Sequence, residues 1–142
     1  MSAQASLTLQ RRLNAAPAKV FRAWTEAAQL IRWMNPGDTP VVRAELDARV
    51  DGRYTIVYRK SDGRELEANG QYLEVVPDRK LVFTWRWRHN AEHESLVTVL
   101  LEPDGDATWL TLTHERFIDE AQADDHRRGW AGGLDSLERY FA

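Results

Sequence analysis

The segment that most constrains the fold is the last one, residues 121–142, because it is the only part of the chain that reads as a long helix. Large apolar residues recur there at spacings of four, three and four positions: Trp130, Leu134, Leu137 and Phe141. These spacings place the four side chains on one face of a helix. The rest of the chain must therefore provide the apolar layer that covers this face.

Three glycines fall inside the predicted helix: Gly129, Gly132 and Gly133. Each costs roughly 1 kcal/mol relative to Ala in a helix interior. Three roles would offset this cost: the glycines let the helix approach a strand closely, they leave room beside it, or they loosen it so that it opens as a gate. The sequence leaves these roles open, and we predict a helix that closes over a curved sheet with a cavity between them.

Most of the preceding chain reads as strands separated by turns. Seven segments have the composition and alternation of half-buried strands: residues 6–13, 41–46, 53–60, 65–76, 80–88, 95–101 and 108–115. Asp-Gly pairs at 51–52, 62–63 and 104–105 predict tight hairpin turns, so successive strands should pair antiparallel. Gly70, inside the fourth segment, predicts a bulge or a bend.

Two short helices are predicted between the first and second strands. Pro17 suits the first turn of a helix, and residues 27–33 form a second helix that Asn35-Pro36-Gly37 ends. Residues 1–4 are expected to be frayed. The order of elements predicts an α+β fold, in which a curved seven-stranded antiparallel sheet wraps around the C-terminal helix within one domain, residues 1–142.

Composition narrows the classes of function. The chain has 142 residues, a net charge of -3 and no cysteine. The negative charge argues against a nucleic-acid-binding surface, and the missing cysteines exclude disulfides, thiolate catalysis and cysteine metal sites. We see no signal peptide and no apolar run near the roughly 20 residues that span a bilayer. A cytoplasmic protein without a membrane or nucleic-acid partner is expected.

Strand alternation places many aromatic rings on the concave face of the predicted sheet. The expected cavity residues are Tyr54, Tyr58, Tyr72, Phe83, Trp85, Trp87, Leu112, His114, Trp130 and Leu134. A few hydroxyl groups among large rings suit a small apolar or aromatic ligand, whereas packed core is the alternative for each ring taken singly. A register slip of one residue would turn each strand over and remove this arrangement.

His114 is the polar residue with the clearest candidate role. It alternates with Leu110 and Leu112, so its side chain is predicted to point inward. An inward histidine is most often a hydrogen-bonded core residue. The alternative is a proton donor or acceptor at the cavity wall, for which an ordinary pKa of about 6.5 is suitable.

Two other clusters of titratable residues are predicted to be solvated: His89, Glu92, His93 and Glu94 between two strands, and Asp124, Asp125 and His126 at the start of the final helix. The first cluster lacks the His-Glu-x-x-His order of a zinc-binding helix. The second complements the helix dipole. No phosphate-binding loop or nucleophile elbow is found, so neither a metal nor a cofactor is expected.

Taken together, the order and spacing of several motifs resemble a known family from about Leu7 to Phe141. The motifs are 20–25 (VFRAWT), 52–54 (GRY), 70–72 (GQY), 81–85 (LVFTW), 97–99 (VTV), 110–115 (LTLTHE) and Gly129-Trp130. They are similar to those of the heat-shock-protein-90 ATPase activator-homologue-like domains. These domains belong to the helix-grip superfamily of START, polyketide-cyclase and pollen-allergen-like proteins.

The resemblance implies a deep cavity between the sheet and the long helix. Members of the superfamily bind lipids, hormones, polyketides or other small apolar molecules, and some catalyse reactions on them. The eukaryotic co-chaperone that names the family has a separate middle-domain-binding module, for which 142 residues leave no room. We therefore do not expect co-chaperone activity from this chain.

Three hypotheses of function follow. The first is a small-molecule-binding protein with an apolar cavity and no cofactor. The second is a cyclase, dehydratase or hydrolase that uses His114 with Tyr54 or Tyr72, which requires these polar groups to lie within hydrogen-bond reach. The third is an interaction module with a vestigial cavity, which predicts an exposed apolar patch or a homodimer interface.

Overall fold

A computed structural model describes residues 5–35 and 39–142. The elements follow in the order β1 (Ala5–Leu13), α1 (Pro17–Thr25), α2 (Ala27–Trp33), β2 (Val41–Leu46), β3 (Arg53–Arg59), β4 (Glu65–Val76), β5 (Lys80–Trp87), a 3-10 turn (Arg88–Asn90), β6 (Ser95–Asp104), β7 (Ala107–Phe117) and α3 (Glu120–Tyr140). Two sequence predictions, fraying of residues 1–4 and the stop at Asn35-Pro36-Gly37, fall wholly or partly outside the described residues.

The seven strands form one antiparallel sheet in the order β1-β7-β6-β5-β4-β3-β2. Every pair except β1 and β7 joins strands that are consecutive in the chain, as the hairpin turns predict. α1 and α2 carry the chain from one edge of the sheet to the other. The α+β helix-grip fold predicted from the sequence, a curved sheet with a long C-terminal helix, is confirmed. Within the described residues, no helix is long and apolar enough to cross a membrane.

α3 begins after a capped N-terminus. The Asp119 carboxylate accepts a hydrogen bond from the backbone N–H of Gln122 at 2.8 Å, which satisfies one of the unpaired donors of the first turn. Arg11 of β1 forms ion pairs with Asp135 and Glu138 on the exposed side of the helix, at 3.3 and 2.9 Å. The predicted helix, 121–142, differs from the observed one by one residue at its start and two at its end.

The irregularity predicted at Gly70 has a clear physical cause. A Cβ atom at Gly70 would lie 2.0 Å from the backbone oxygen of Thr84 on β5, so only glycine fits. On β3, Tyr54 lies opposite Gly70 of β4. The Tyr54 side chain extends over Gly70, and its hydroxyl donates to the Thr84 backbone oxygen at 2.5 Å. The Thr84 hydroxyl accepts from the backbone N–H of Gln71 at 2.9 Å. These bonds lie between the ladder pairs Asn69–Arg86 and Tyr72–Phe83, and the register shift between β4 and β5 follows between Tyr72 and Glu74.

The predicted inward faces of the strands are buried. On three strands the buried residues are those predicted: Tyr54, Ile56 and Tyr58 on β3, Val97, Val99 and Leu101 on β6, and Leu110, Leu112 and His114 on β7. Together with the apolar residues of all three helices, these side chains form one core cluster. The core therefore lies between the concave face of the sheet and the helices.

Candidate functional site

A cavity of about 270 Å³ lies between α3 and the inner face of the sheet. It is lined by residues from α3, from β3 to β5 and from the segment after α2: Met34, Thr39, Tyr58, Leu66, Trp85, Trp87, Asp125, His126, Gly129, Trp130 and Gly133. Most of its surface is apolar, and it is partly open to solvent at the end where the exposed Asp125 lies. Such concave, apolar spaces with a few polar groups are typical of small-molecule sites.

Four of the lining residues have large aromatic rings, and we call Tyr58, Trp85, Trp87 and Trp130 the aromatic quartet. Their ring centroids are 5.7 Å apart for Tyr58–Trp87, 5.6 Å for Trp87–Trp85 and 5.3 Å for Trp85–Trp130. The corresponding rings are inclined at 50°, 85° and 56°. Because no successive pair is stacked in parallel, the rings turn around the cavity.

Two tryptophans of the quartet donate hydrogen bonds to histidines. Trp87 Nε1 donates to His126 Nε2 at 2.8 Å, and Trp130 Nε1 donates to His114 Nδ1 at 2.9 Å. His126 Nδ1 lies 2.9 Å from the backbone oxygen of Gln122 and must therefore carry the proton. The hydrogen bonds thus assign neutral imidazoles to both histidines, each accepting through its unprotonated nitrogen.

His114 has no exposed surface, and its predicted inward orientation is confirmed. Because Nδ1 accepts from Trp130, Nε2 donates to the Ser95 hydroxyl at 2.7 Å, and that hydroxyl donates to the backbone oxygen of Trp85 at 3.1 Å. Burial lowers the pKa of His114 well below its ordinary value, and the neighbouring His126 and His93 act in the same direction. His114 is therefore a neutral link between α3 and strands β5 to β7.

His126 lies in the cavity wall, so the prediction that it belongs to a solvated face is wrong. Asp124 and Asp125 are exposed as predicted, whereas the His126 ring is packed beside Trp87 and Phe117. Burial lowers its pKa, against the opposing effects of the Gln122 carbonyl and Asp125. A signal was present in the sequence: position 126 precedes Trp130 by four residues and so continues the apolar face of α3.

The ten predicted cavity residues separate into three groups. Tyr58, Trp85, Trp87 and Trp130 line the main cavity. Tyr54, Tyr72 and Phe83, with Trp85 again, line a second space of only about 20 Å³, and burial raises the pKa of Tyr54, Tyr58 and Tyr72. Leu112 and Leu134 lie in the packed core and His114 is buried beside them, outside the residues that line either space.

The glycines of α3 border the cavity. Gly129 and Gly133, one helical turn apart, both line it. Gly133 is itself buried, yet a Cβ atom built there would meet no other atom within 4 Å. Of the roles that the sequence leaves open, the geometry at Gly133 favours making room for the cavity, because the helix does not contact a strand at this point.

The polar groups of the second hypothesis do not converge. Both ring nitrogens of His114 are engaged by Trp130 and Ser95, while the Tyr54 hydroxyl donates to the Thr84 backbone. The Tyr58 hydroxyl donates to Met34 Sδ at 3.2 Å. Among the residues described, no group of three or more His, Asp or Glu side chains is placed to hold a metal ion.

A curved antiparallel sheet, a long C-terminal helix across its concave face and a cavity between them define a helix-grip protein. The family model described as Activator of Hsp90 ATPase homolog 1-like protein matches residues 14–142. The chain belongs to this family, in agreement with the resemblance of its motifs.

Solved structures of bacterial proteins have the same architecture. A protein of Chromobacterium violaceum is 27% identical and has a TM-score of 0.86, with 96% of each chain covered. The AHSA1 protein of Silicibacter pomeroyi is 28% identical with a TM-score of 0.85, and a protein of Rhizobium loti is 30% identical with a TM-score of 0.78, again with 96% of each chain covered. A search of curated proteins found no significant match.

Proposed function

We propose that this protein binds a small hydrophobic or aromatic molecule in the cavity between α3 and the sheet. The observation that carries the proposal is the open space beside Gly133, within a wall of aromatic rings. A protein interior is normally packed to the density of an organic crystal, and voids that exceed a water molecule are few. Here a helix retains glycine beside such a void, although alanine would favour the helix by about 1 kcal/mol.

The volume limits the size of the ligand. A cavity of about 270 Å³ lies just below the range of roughly 300–1,000 Å³ that holds drug-sized molecules. A single aromatic ring with a short substituent, or a short branched chain, matches this volume. Long acyl chains and steroids exceed it unless they extend through the open end near Asp125.

Direct binding measurements test the proposal. A library of one-ring aromatic and short aliphatic molecules is added to the protein, and hits in tryptophan fluorescence are measured again by isothermal titration calorimetry. We expect hits with a negative heat-capacity change, because apolar surface is buried on binding. A folded protein that gives no hit across the library would overturn the proposal.

A cavity-filling variant locates the site. Gly133→Leu places a side chain in the open space, so it should abolish binding of every hit while circular dichroism shows an intact helix. Arg127→Leu, an exposed position on the same helix, is the matched control and should bind as the wild type does. Equal binding by both variants would place the ligand elsewhere.

A further inference from the structure

The charged groups and ring edges around the cavity carry information on the charge of its ligand. Resting on the proposed function above, we infer that the cavity takes a small organic cation, a quaternary or tertiary amine with an apolar body, held by the aromatic quartet. Aromatic faces attract cations through the ring quadrupole, and tryptophan does so most strongly.

Among the described residues that line the cavity there is no lysine or arginine, although the chain contains 19 such residues. Of the lining residues in the described part of the chain, Asp125 alone carries a charged side chain, which lies at the open end and pairs with Arg128 on the exposed surface of α3. His126 and, behind Trp130, His114 are neutral in the hydrogen-bond arrangement described above. A carboxylate or phosphate ligand would therefore find no cationic partner among the described lining residues, because Arg128 is paired with Asp125.

The electropositive edges of three rings in the quartet are turned toward the protein. The N–H groups of Trp87 and Trp130 donate to histidine nitrogens, and the hydroxyl of Tyr58 donates to the sulfur of Met34. What these rings present to the cavity is consequently their carbon framework and its electron-rich faces. Within the quartet, no successive pair of rings is stacked in parallel.

The fourth ring offers no donor to an anion either. Trp85 Nε1 has no hydrogen-bond partner among the described residues, which at first suggests a ligand acceptor. However, this atom has almost no surface accessible to a water-sized group, so an oxygen within the cavity cannot reach it. The N–H of Trp85 is enclosed by protein, and Trp85 borders the cavity with the carbon atoms of its ring.

Three isosteric probes test the inference by calorimetry at low salt: choline, the neutral 3,3-dimethylbutan-1-ol and the anionic 3,3-dimethylbutanoate. The trimethylammonium and tert-butyl groups have nearly the same shape, so the comparison isolates charge. We expect choline to bind on the order of tenfold more tightly than the alcohol, which is the effect of desolvated cation–π contacts, and the carboxylate to bind most weakly.

The outcomes distinguish this inference from the proposed function. Equal or tighter binding of the neutral alcohol overturns the cation inference and leaves the apolar cavity as a binding site. The same holds if none of the three probes binds but a neutral molecule from the library does. If no probe and no library member binds, both the inference and the proposed function are overturned.

Two pairs of variants then identify the attracting groups. Trp87→Leu should weaken choline about tenfold and the alcohol much less, because the ring is lost but an apolar surface remains. The control, Trp109→Leu, removes the one tryptophan that is exposed, on β7.

Asp125→Asn should weaken the binding of choline two- to threefold at low salt and not at high salt, whereas Asp124→Asn should leave choline binding unchanged. Equal losses for both probes in Trp87→Leu would contradict a role for charge.

Discussion

At the scale of single residues, His114 shows how one side chain organises the cavity wall. Its imidazole connects Trp130 of α3 to Ser95 of β6, and Ser95 continues the chain of hydrogen bonds to the backbone of β5. Strand alternation predicted that His114 points inward. Its partners, 16 and 19 residues distant in sequence, depend on strand register and helix placement, which alternation does not determine.

The buried histidines predict a dependence of stability on pH. His114 and His126 have pKa values below the ordinary value of about 6.5, so below that pH the unfolded chain binds protons that the folded chain does not. Stability should be full above pH 6.5 and fall as the pH decreases toward the folded pKa of each histidine, by up to about 1.4 kcal/mol per pH unit for each. Urea unfolding at several pH values between 7.5 and 5.5 measures this slope.

Substitutions test whether His114 and His126 cause this dependence of stability on pH. His126→Gln retains an acceptor for Trp87 and removes the histidine with the smaller pKa shift, so part of the slope should disappear and the part from His114 should remain. His89→Gln, a change at an exposed position that retains His114 and His126, is the matched control. A wild-type stability that does not change between pH 7.5 and 5.5 would contradict the neutral state of His114.

A second residue-scale prediction concerns Gly70. An alanine there would bring Cβ to 2.0 Å from the Thr84 backbone oxygen, and the strands would have to separate where Tyr54 crosses them. We expect Gly70→Ala to lower the free energy of unfolding by about 3 kcal/mol, as for severe overpacking. Asn69→Ala, on the same strand, should change it by less than about 1 kcal/mol. Similar values for the two variants would disprove the close approach.

At the scale of elements, the helices and strands were largely predictable from local patterns. α2, β2 and β4 have the predicted bounds, because their ends coincide with turn residues and with changes of hydrophobic period. The ends of β6 and β7 were misjudged. Pairing extends β6 through Glu102, Pro103 and Asp104 to the turn at Gly105, and β7 begins one residue earlier than predicted, at Ala107, and continues to Phe117, which pairs with Ala5 of β1. On α3, the sequence analysis did not predict that His126 faces inward, because His126 is polar and a hydrophobic pattern detects only apolar residues.

The glycine content of α3 leads to an element-scale prediction. Gly133→Ala adds a methyl group that meets no atom within 4 Å, so no strain opposes the better helix propensity of alanine. We expect an increase of about 1 kcal/mol in the free energy of unfolding and roughly 3 °C in melting temperature. Thermal and urea unfolding measure both. A loss of stability would show that the space beside Gly133 is filled.

At the scale of the whole molecule, counting the elements predicted the number of strands, their antiparallel order and the covering helix. The order of the motifs predicted the family. The shape of the cavity could not be predicted from the sequence. The predicted concave face was correct, yet Leu112 and Leu134 pack tightly while Trp87 and Trp130 border open space. This difference arises from how far α3 lies from each strand, a distance set by side chains along the whole interface rather than by any local pattern.

The continuous core predicts a single cooperative unfolding unit. Apolar residues of β1 to β7 and of all three helices belong to one cluster, so displacing α3 exposes the same core that α1 and α2 help to cover. Urea transitions followed by far-ultraviolet circular dichroism, for the backbone, and by tryptophan fluorescence, for the core, should coincide. Separate midpoints would indicate that α3 and the sheet unfold independently.

The packing of the indoles has an optical consequence. Five tryptophans form a chain of ring neighbours, with centroids 4.8 Å apart for Trp33–Trp24, 6.0 Å for Trp24–Trp130, 5.3 Å for Trp130–Trp85 and 5.6 Å for Trp85–Trp87. Excitation energy passes readily between indoles this close, so the five emit as one coupled chromophore. Trp109, exposed on the outer face of β7, is not one of these ring neighbours. Replacing Trp109 by phenylalanine would therefore turn the entire emission of the protein into a signal from its interior.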